Sequence, residues 1–79
     1  MSEVKVYSTP TCPYCHMLKE FLTEKGVEFR DINVAQDVEA AREMVEKSGQ
    51  MGVPQMEING KTIIGFDRHA IEREIEKIK

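Results

Sequence analysis

The only two cysteines of this chain stand three residues apart, in Cys12-Pro13-Tyr14-Cys15, where one hydrophobic pattern gives way to another. Before them Val4 and Val6 alternate with Lys5, and Tyr7 follows, so Glu3 to Ser8 predicts a strand. After them Leu18, Phe21 and Leu22 recur at helical spacing, with Lys19, Glu20, Thr23 and Glu24 on the outward side. Ser8-Thr9-Pro10-Thr11 makes a polar turn between the two. Pro13 suits the first helical position, where its missing N–H costs nothing. Gly26 suits the position just past the helix end. The pair is thus pinned between the end of a strand and the start of a helix.

The rest of the chain follows from that junction. Val27 to Val34 predicts a second strand, and strand, helix and strand within roughly thirty residues make a βαβ unit with parallel strands. Gln36 to Ser48 predicts a second helix, with Val38, Ala41, Met44, Val45 and Ser48 inward and Gly49 as its stop. Gln50-Met51-Gly52-Val53-Pro54 is a loop. Gln55 to Ile58 and Lys61 to Ile64 flank Asn59-Gly60, the strongest short-range hairpin signal, so these strands are antiparallel. Gly65 bends the chain away. Asp67 caps a last helix whose Ile71, Ile75 and Ile78 face inward, while Glu72, Arg73, Glu74, Glu76 and Lys77 form a solvated face. The order β-α-β-α-β-β-α implies a four-stranded mixed sheet flanked by three helices, in one domain over residues 1–79.

Composition narrows the function. The net charge is −3 and 32% of residues are charged, with both signs interspersed, so no basic face is offered to nucleic acid. No apolar run reaches membrane-spanning length. Met1-Ser2-Glu3 lacks the basic-then-apolar pattern of an export signal. The expectation is a cytoplasmic monomer in a reducing compartment, where a cysteine pair is more often catalytic than structural. Two cysteines so close would also close too small a loop to staple the fold.

A Cys-x-x-Cys at a strand-to-helix junction reads as a redox dithiol. With Cys12 as the helix cap, unpaired N–H groups and the positive end of the helix dipole point at its sulfur and favour a thiolate. Cys15, one turn on, lies on the same side. Cys12-Pro13-Tyr14-Cys15-His16 also fits covalent haem attachment, but the hairpin and βαβ pattern are not those of a small helical cytochrome. Zinc needs four ligands in most structural sites, and His16 and His69 have no such spacing, so no metal site is assigned. Met44 and Met56 fit as core fillers, and Met51 as a residue beside the Val53-Pro54 loop.

Cys12-Pro13-Tyr14-Cys15 after a strand, Val53-Pro54 before a hairpin strand and Gly65-Phe66-Asp67 before a terminal helix together resemble the glutaredoxins, over nearly the whole chain. The resemblance implies a minimal thioredoxin fold and a dithiol oxidoreductase with no permanently bound cofactor. In it Cys12 attacks protein or glutathione mixed disulfides and Cys15 resolves. It implies a cis Val53–Pro54 bond, with the Val53 backbone pairing with a cysteinyl peptide. It implies glutathione as co-substrate, contacted by Pro13, Tyr14, Val53, Pro54 and Asp67, with Gln50, Arg68 or Lys47 standing in for a lysine that glutathione-using members often carry before the first cysteine. Here that place reads Ser8-Thr9-Pro10-Thr11. Gly65-Phe66 also resembles redoxins recharged by thioredoxin reductase. The implied partners are therefore glutathione, disulfide-containing proteins, and thioredoxin reductase or ribonucleotide reductase. An iron–sulfur cluster bridging two chains occurs among similar proteins; Pro13 stiffens the helix start against it.

Overall fold

The computed structural model describes residues 3–78. Strand β1 (Lys5–Ser8) leads through the dithiol turn into helix α1 (Pro13–Glu24). Strand β2 (Arg30–Asn33), helix α2 (Val38–Ser48), strands β3 (Gln55–Ile58) and β4 (Lys61–Ile64), and helix α3 (Arg68–Ile78) follow. The sheet order is β2-β1-β3-β4. β1 and β2 are parallel, with Lys5 opposite Arg30 and Ser8 opposite Asn33. β3 runs antiparallel to both β1 and β4. This is the four-stranded mixed sheet and the element order that the sequence predicts.

The alternation of strand side chains divides the interior in two. Val6, Met56, Ile58 and Ile63 pack with Leu18, Phe21 and Leu22 of α1 and Ile71 and Ile75 of α3. On the other face Tyr7 packs with Ala40 and Met44 of α2, and Ile32 and Val53 close against them. Asn59 and Gly60 both take positive φ, at 54° and 74°, as the primed hairpin turn requires.

Several boundaries move. β1 starts at Lys5 rather than Glu3, and β2 spans Arg30–Asn33 rather than Val27–Val34. Val27 is drawn into the core instead, and the ladder begins where the Arg30 N–H meets the Val4 carbonyl at 2.8 Å. α2 begins at Val38, because the Asp37 carboxylate accepts the Ala40 N–H at 3.0 Å and caps the helix there. Val38, expected inside, is therefore a first-turn residue and 70% exposed; Ala40 takes the inner position.

Glu74 is the larger correction. Instead of joining a solvated face it is 5% exposed. Its carboxylate accepts from Asn59 Nδ2 at 3.0 Å, Lys77 Nζ at 3.1 Å and Lys61 Nζ at 3.4 Å. Asn59 Nδ2 also reaches the Glu74 carbonyl at 3.2 Å, so the hairpin turn is tied to α3. The bond from Asn59, then those from Lys77 and Lys61, outweigh burial and hold the Glu74 carboxyl down at about 2.

Candidate active site

Cys12 ends the dithiol turn in extended geometry (φ −94°, ψ 110°) and caps α1. Pro13 follows at the first helical position, exposed and with no N–H to satisfy. The first intrahelical bond runs from the His16 N–H to the Cys12 carbonyl at 3.3 Å. The Cys12 sulfur is thereby left at the helix tip, half-buried, and accepts the Cys15 N–H at 3.2 Å. On its other side the Cys12 thiol lies 3.9 Å from the Val53 carbonyl, which it can donate to.

Cys15 differs from Cys12 in exposure. It is wholly buried and packs on the inner side of α1. Burial first, and the neighbouring Cys12 sulfur second, push its thiol up from the ordinary 9.0 to about 11. A Thr9 backbone bond and the Lys19 charge pull it weakly the other way. One accessible sulfur carrying an N–H donor, with a sequestered sulfur one turn below, is an arrangement that can alternate between dithiol and disulfide after a small approach of the two sulfurs.

The second half of the site comes from the chain 41 residues on. The Val53–Pro54 bond is cis, as the resemblance to the glutaredoxins implies. Val53 is half-buried and Pro54 buried. The Pro54 carbonyl accepts the Gly65 N–H at 2.9 Å, which holds the Gly65-Phe66-Asp67 bend against this loop. Phe66 then packs edge-on against Phe21, with ring centroids 5.8 Å apart.

The remaining predicted residues can be located by their own partners. Tyr14 lies in the first turn of α1 and is 62% exposed. Gln50 is exposed, and its N–H is held by Ser48 Oγ at 3.1 Å. Asp67 caps α3 through the Ala70 N–H at 3.3 Å. Arg68 lays its guanidinium over the Phe21 ring at 5.3 Å. Lys47 is bound to Glu57 at 2.7 Å, and that carboxylate raises its basicity. Of all the predicted substrate-binding residues only Val53 is in hydrogen-bond range of a cysteine sulfur.

Three side chains have partners or burial that the sequence reading does not give. His16 bonds the Pro10 carbonyl through Nε2 at 3.0 Å, and since a carbonyl only accepts, that nitrogen carries the proton. It closes the turn leading into Cys12. Lys19, expected on the outward side, reaches Asp31 at 3.0 Å, and Asp31 also accepts Ser8 Oγ at 2.8 Å. Burial works against the Asp31 charge, but the Ser8 hydroxyl and Lys19 ammonium outweigh it and its carboxyl is lowered. The spacing of Lys19 four residues after Cys15 is the signal that could have shown it beside the dithiol. Gln55, fully buried, is the third. No three His, Cys, Asp or Glu side chains gather to hold a metal ion among the described residues.

The glutaredoxin family model matches residues 4–63. The chain belongs to the glutaredoxin family. It is 47% identical over 74 residues to an uncharacterized glutaredoxin-like 8.6 kDa protein in a rubredoxin operon of Clostridium pasteurianum, covering 94% of this chain and 99% of that one. It is 39% identical over 67 residues to glutaredoxin 3 of Escherichia coli, covering 85% and 81%. Among solved structures it is similar to NrdH-redoxin from Escherichia coli, a glutaredoxin-like protein described as having a thioredoxin-like activity profile. That match has a TM-score of 0.80 and 27% identity, and covers 90% and 92% of the two chains. This glutaredoxin thus carries the thioredoxin-like fold and the dithiol of its family. No helix among its described residues is long and apolar enough to cross a membrane.

Proposed function

We propose that this glutaredoxin reduces protein disulfides by dithiol exchange. The Cys12 thiolate attacks one sulfur of a substrate disulfide, and the other substrate sulfur leaves as a thiolate. Cys15 loses its proton and attacks Cys12 Sγ, which breaks the mixed disulfide and releases the second substrate thiolate. The Cys12–Cys15 disulfide then holds the two electrons' worth of oxidation. The observation that carries this reading is the contrast between the sulfurs: Cys12 at the helix tip with the Cys15 N–H on it, and Cys15 buried directly beneath. The Val53 backbone is the edge on which an extended cysteinyl peptide pairs, supported by its carbonyl standing 3.9 Å from the attacking sulfur.

Glutathione is the reductant in this reading, supported by the identity to glutaredoxin 3, with Tyr14, Gln50, Asp67 and Arg68 around it. A second reading, in which thioredoxin reductase recharges the pair, is favoured by one observation. Glutathione brings two carboxylates that need cations, yet Lys47 is committed to Glu57, Arg68 lies on Phe21, and residues 8–11 supply none. The likeness to NrdH-redoxin points the same way.

Coupling the protein to glutathione with glutathione reductase, and separately to thioredoxin reductase, while following NADPH loss decides the reductant. Cys12→Ser is expected to abolish turnover in both. Cys15→Ser is expected to keep reduction of a glutathione mixed disulfide and lose reduction of protein disulfides. Full turnover in Cys12→Ser overturns the assignment of the nucleophile.

A further inference from the structure

Gln55 is a polar side chain in a place that would cost less to fill with an apolar one. It opens β3, directly after Pro54, and is fully buried opposite Tyr7 of β1. Its Nε2 donates to two carbonyls of the preceding loop, Gln50 at 3.0 Å and Gly52 at 2.8 Å. Its Oε1 is buried with no hydrogen-bond partner among the described residues. Turning the amide over would face oxygen against two carbonyl acceptors, so the geometry fixes its orientation. A buried amide that spends both donors and leaves its acceptor unpaired is costly to stability. The return is in what the donors hold.

They hold the segment that carries Val53. Gln50 is held by Gln55 at its carbonyl and by Ser48 Oγ, which accepts its N–H at 3.1 Å and also lies 3.1 Å from its carbonyl. Ser48 is itself anchored to the Met44 carbonyl at 2.8 Å, at the end of α2. Gly52, the residue before Val53, is held through its carbonyl by Gln55. Between them Met51 is 81% exposed and makes no anchor. Among the described residues Gln55 is therefore the one side chain that hydrogen-bonds both the start of this loop and the residue before Val53.

We propose that Gln55 is the positioning residue for substrate capture: its amide clamps the Gln50 and Gly52 carbonyls and so holds the Val53 edge in the register that a cysteinyl peptide needs. The inference rests on the dithiol-exchange reading above. It concerns the substrate's backbone, not the sulfur chemistry, because the hydrogen bonds of Gln55 go to the Gln50 and Gly52 carbonyls and not to either cysteine. A peptide that docks along the Val53 edge needs the clamped loop; a small disulfide that meets only Cys12 does not.

The test compares two substrates at steady state: a cystine-bridged peptide and the small aromatic disulfide 5,5′-dithiobis(2-nitrobenzoate). In Gln55→Met, which keeps length and removes both donors, KM for the peptide is expected to rise about tenfold, as when the binding-ready loop falls to about a tenth of the molecules. Its kcat and the rate with the small disulfide are expected to stay near wild type. Gln55→Glu supplies the second measurement. A protonated carboxyl can donate to one of the two carbonyls, and a carboxylate to neither. Its peptide KM, relative to wild type at the same pH, is therefore expected to climb as pH rises. A peptide KM within twofold of wild type in folded Gln55→Met overturns the inference, as does a pH-independent KM ratio in Gln55→Glu. A wild-type protein that reduces neither substrate overturns the exchange reading instead, so the two failures are separable.

Discussion

The resolving step is expected to be governed by the proton on Cys15, and its pH dependence can be worked out from the structure. Burial and the adjacent Cys12 sulfur raise the Cys15 thiol to about 11. Only the thiolate attacks, so in the free dithiol about one Cys15 in ten thousand is ionised at pH 7, and below the levelling point the rate climbs about tenfold per pH unit. Once Cys12 is held in a mixed disulfide, its part of the shift disappears while burial remains. The rate is therefore expected to level off above 9 and short of 11. Ellman's reagent reads this directly by absorbance in a single turnover. Cys12 releases the first thionitrobenzoate and forms the mixed disulfide; Cys15 then releases the second. The second phase, followed from pH 6 upward, is the measurement. Lys19→Met removes a charge that favours the Cys15 thiolate and should move the levelling point further up. A second phase that levels at or below pH 9 in the wild type would refute the claim that burial holds this proton.

Two stability predictions go with it. The Glu74 carboxyl lies lower in the folded chain than its ordinary 4.5, so its contribution is complete above that pH and drains as pH falls toward 2. Thermal melts across this window should show Tm dropping more steeply in wild type than in Glu74→Gln, and parallel slopes would dismiss the Asn59–Lys61–Lys77 cradle as the cause. Gly65 sits at φ +79° with open space where a Cβ would go, so Gly65→Ala should cost about 1–2 kcal/mol from backbone conformation alone, read as a lower urea midpoint with unchanged slope. No loss of midpoint would mean that the bend relaxes freely.

The parts of the fold written in local chemistry were legible in advance. Asn59-Gly60, the glycines closing α1 and α2, the Asp67 cap and the alternation in β1 each state a backbone preference within a few residues, and each is found in place. What stayed hidden depends on partners distant in the chain. Glu74 reads as surface until Asn59 and Lys61 of the hairpin are laid across it; its spacing from Ile71 and Ile75 had placed it on the inner stripe all along. Lys19 reads as outward until β2 brings Asp31 alongside. Val38 is spaced three and seven residues from Ala41 and Val45, but the inner stripe of α2 runs through Ala40 and Met44, which turns Val38 outward. The same division runs through the site: the Cys12-to-Cys15 half is a single local motif, whereas the buried amide of Gln55 acquires meaning only from carbonyls that a sequence does not display.

The strand order has a consequence for how such a domain could change. The sulfurs hang from the end of β1 and the Val53-Pro54 turn from the beginning of β3, and these are the two middle strands. β2 and β4 form the margins and carry neither. Material added along either border would widen the molecule without shifting one half of the chemistry against the other. An extra residue wedged into the β1–β3 seam would slide them out of alignment, so the tolerance of this architecture lies at its rim and its intolerance along its midline.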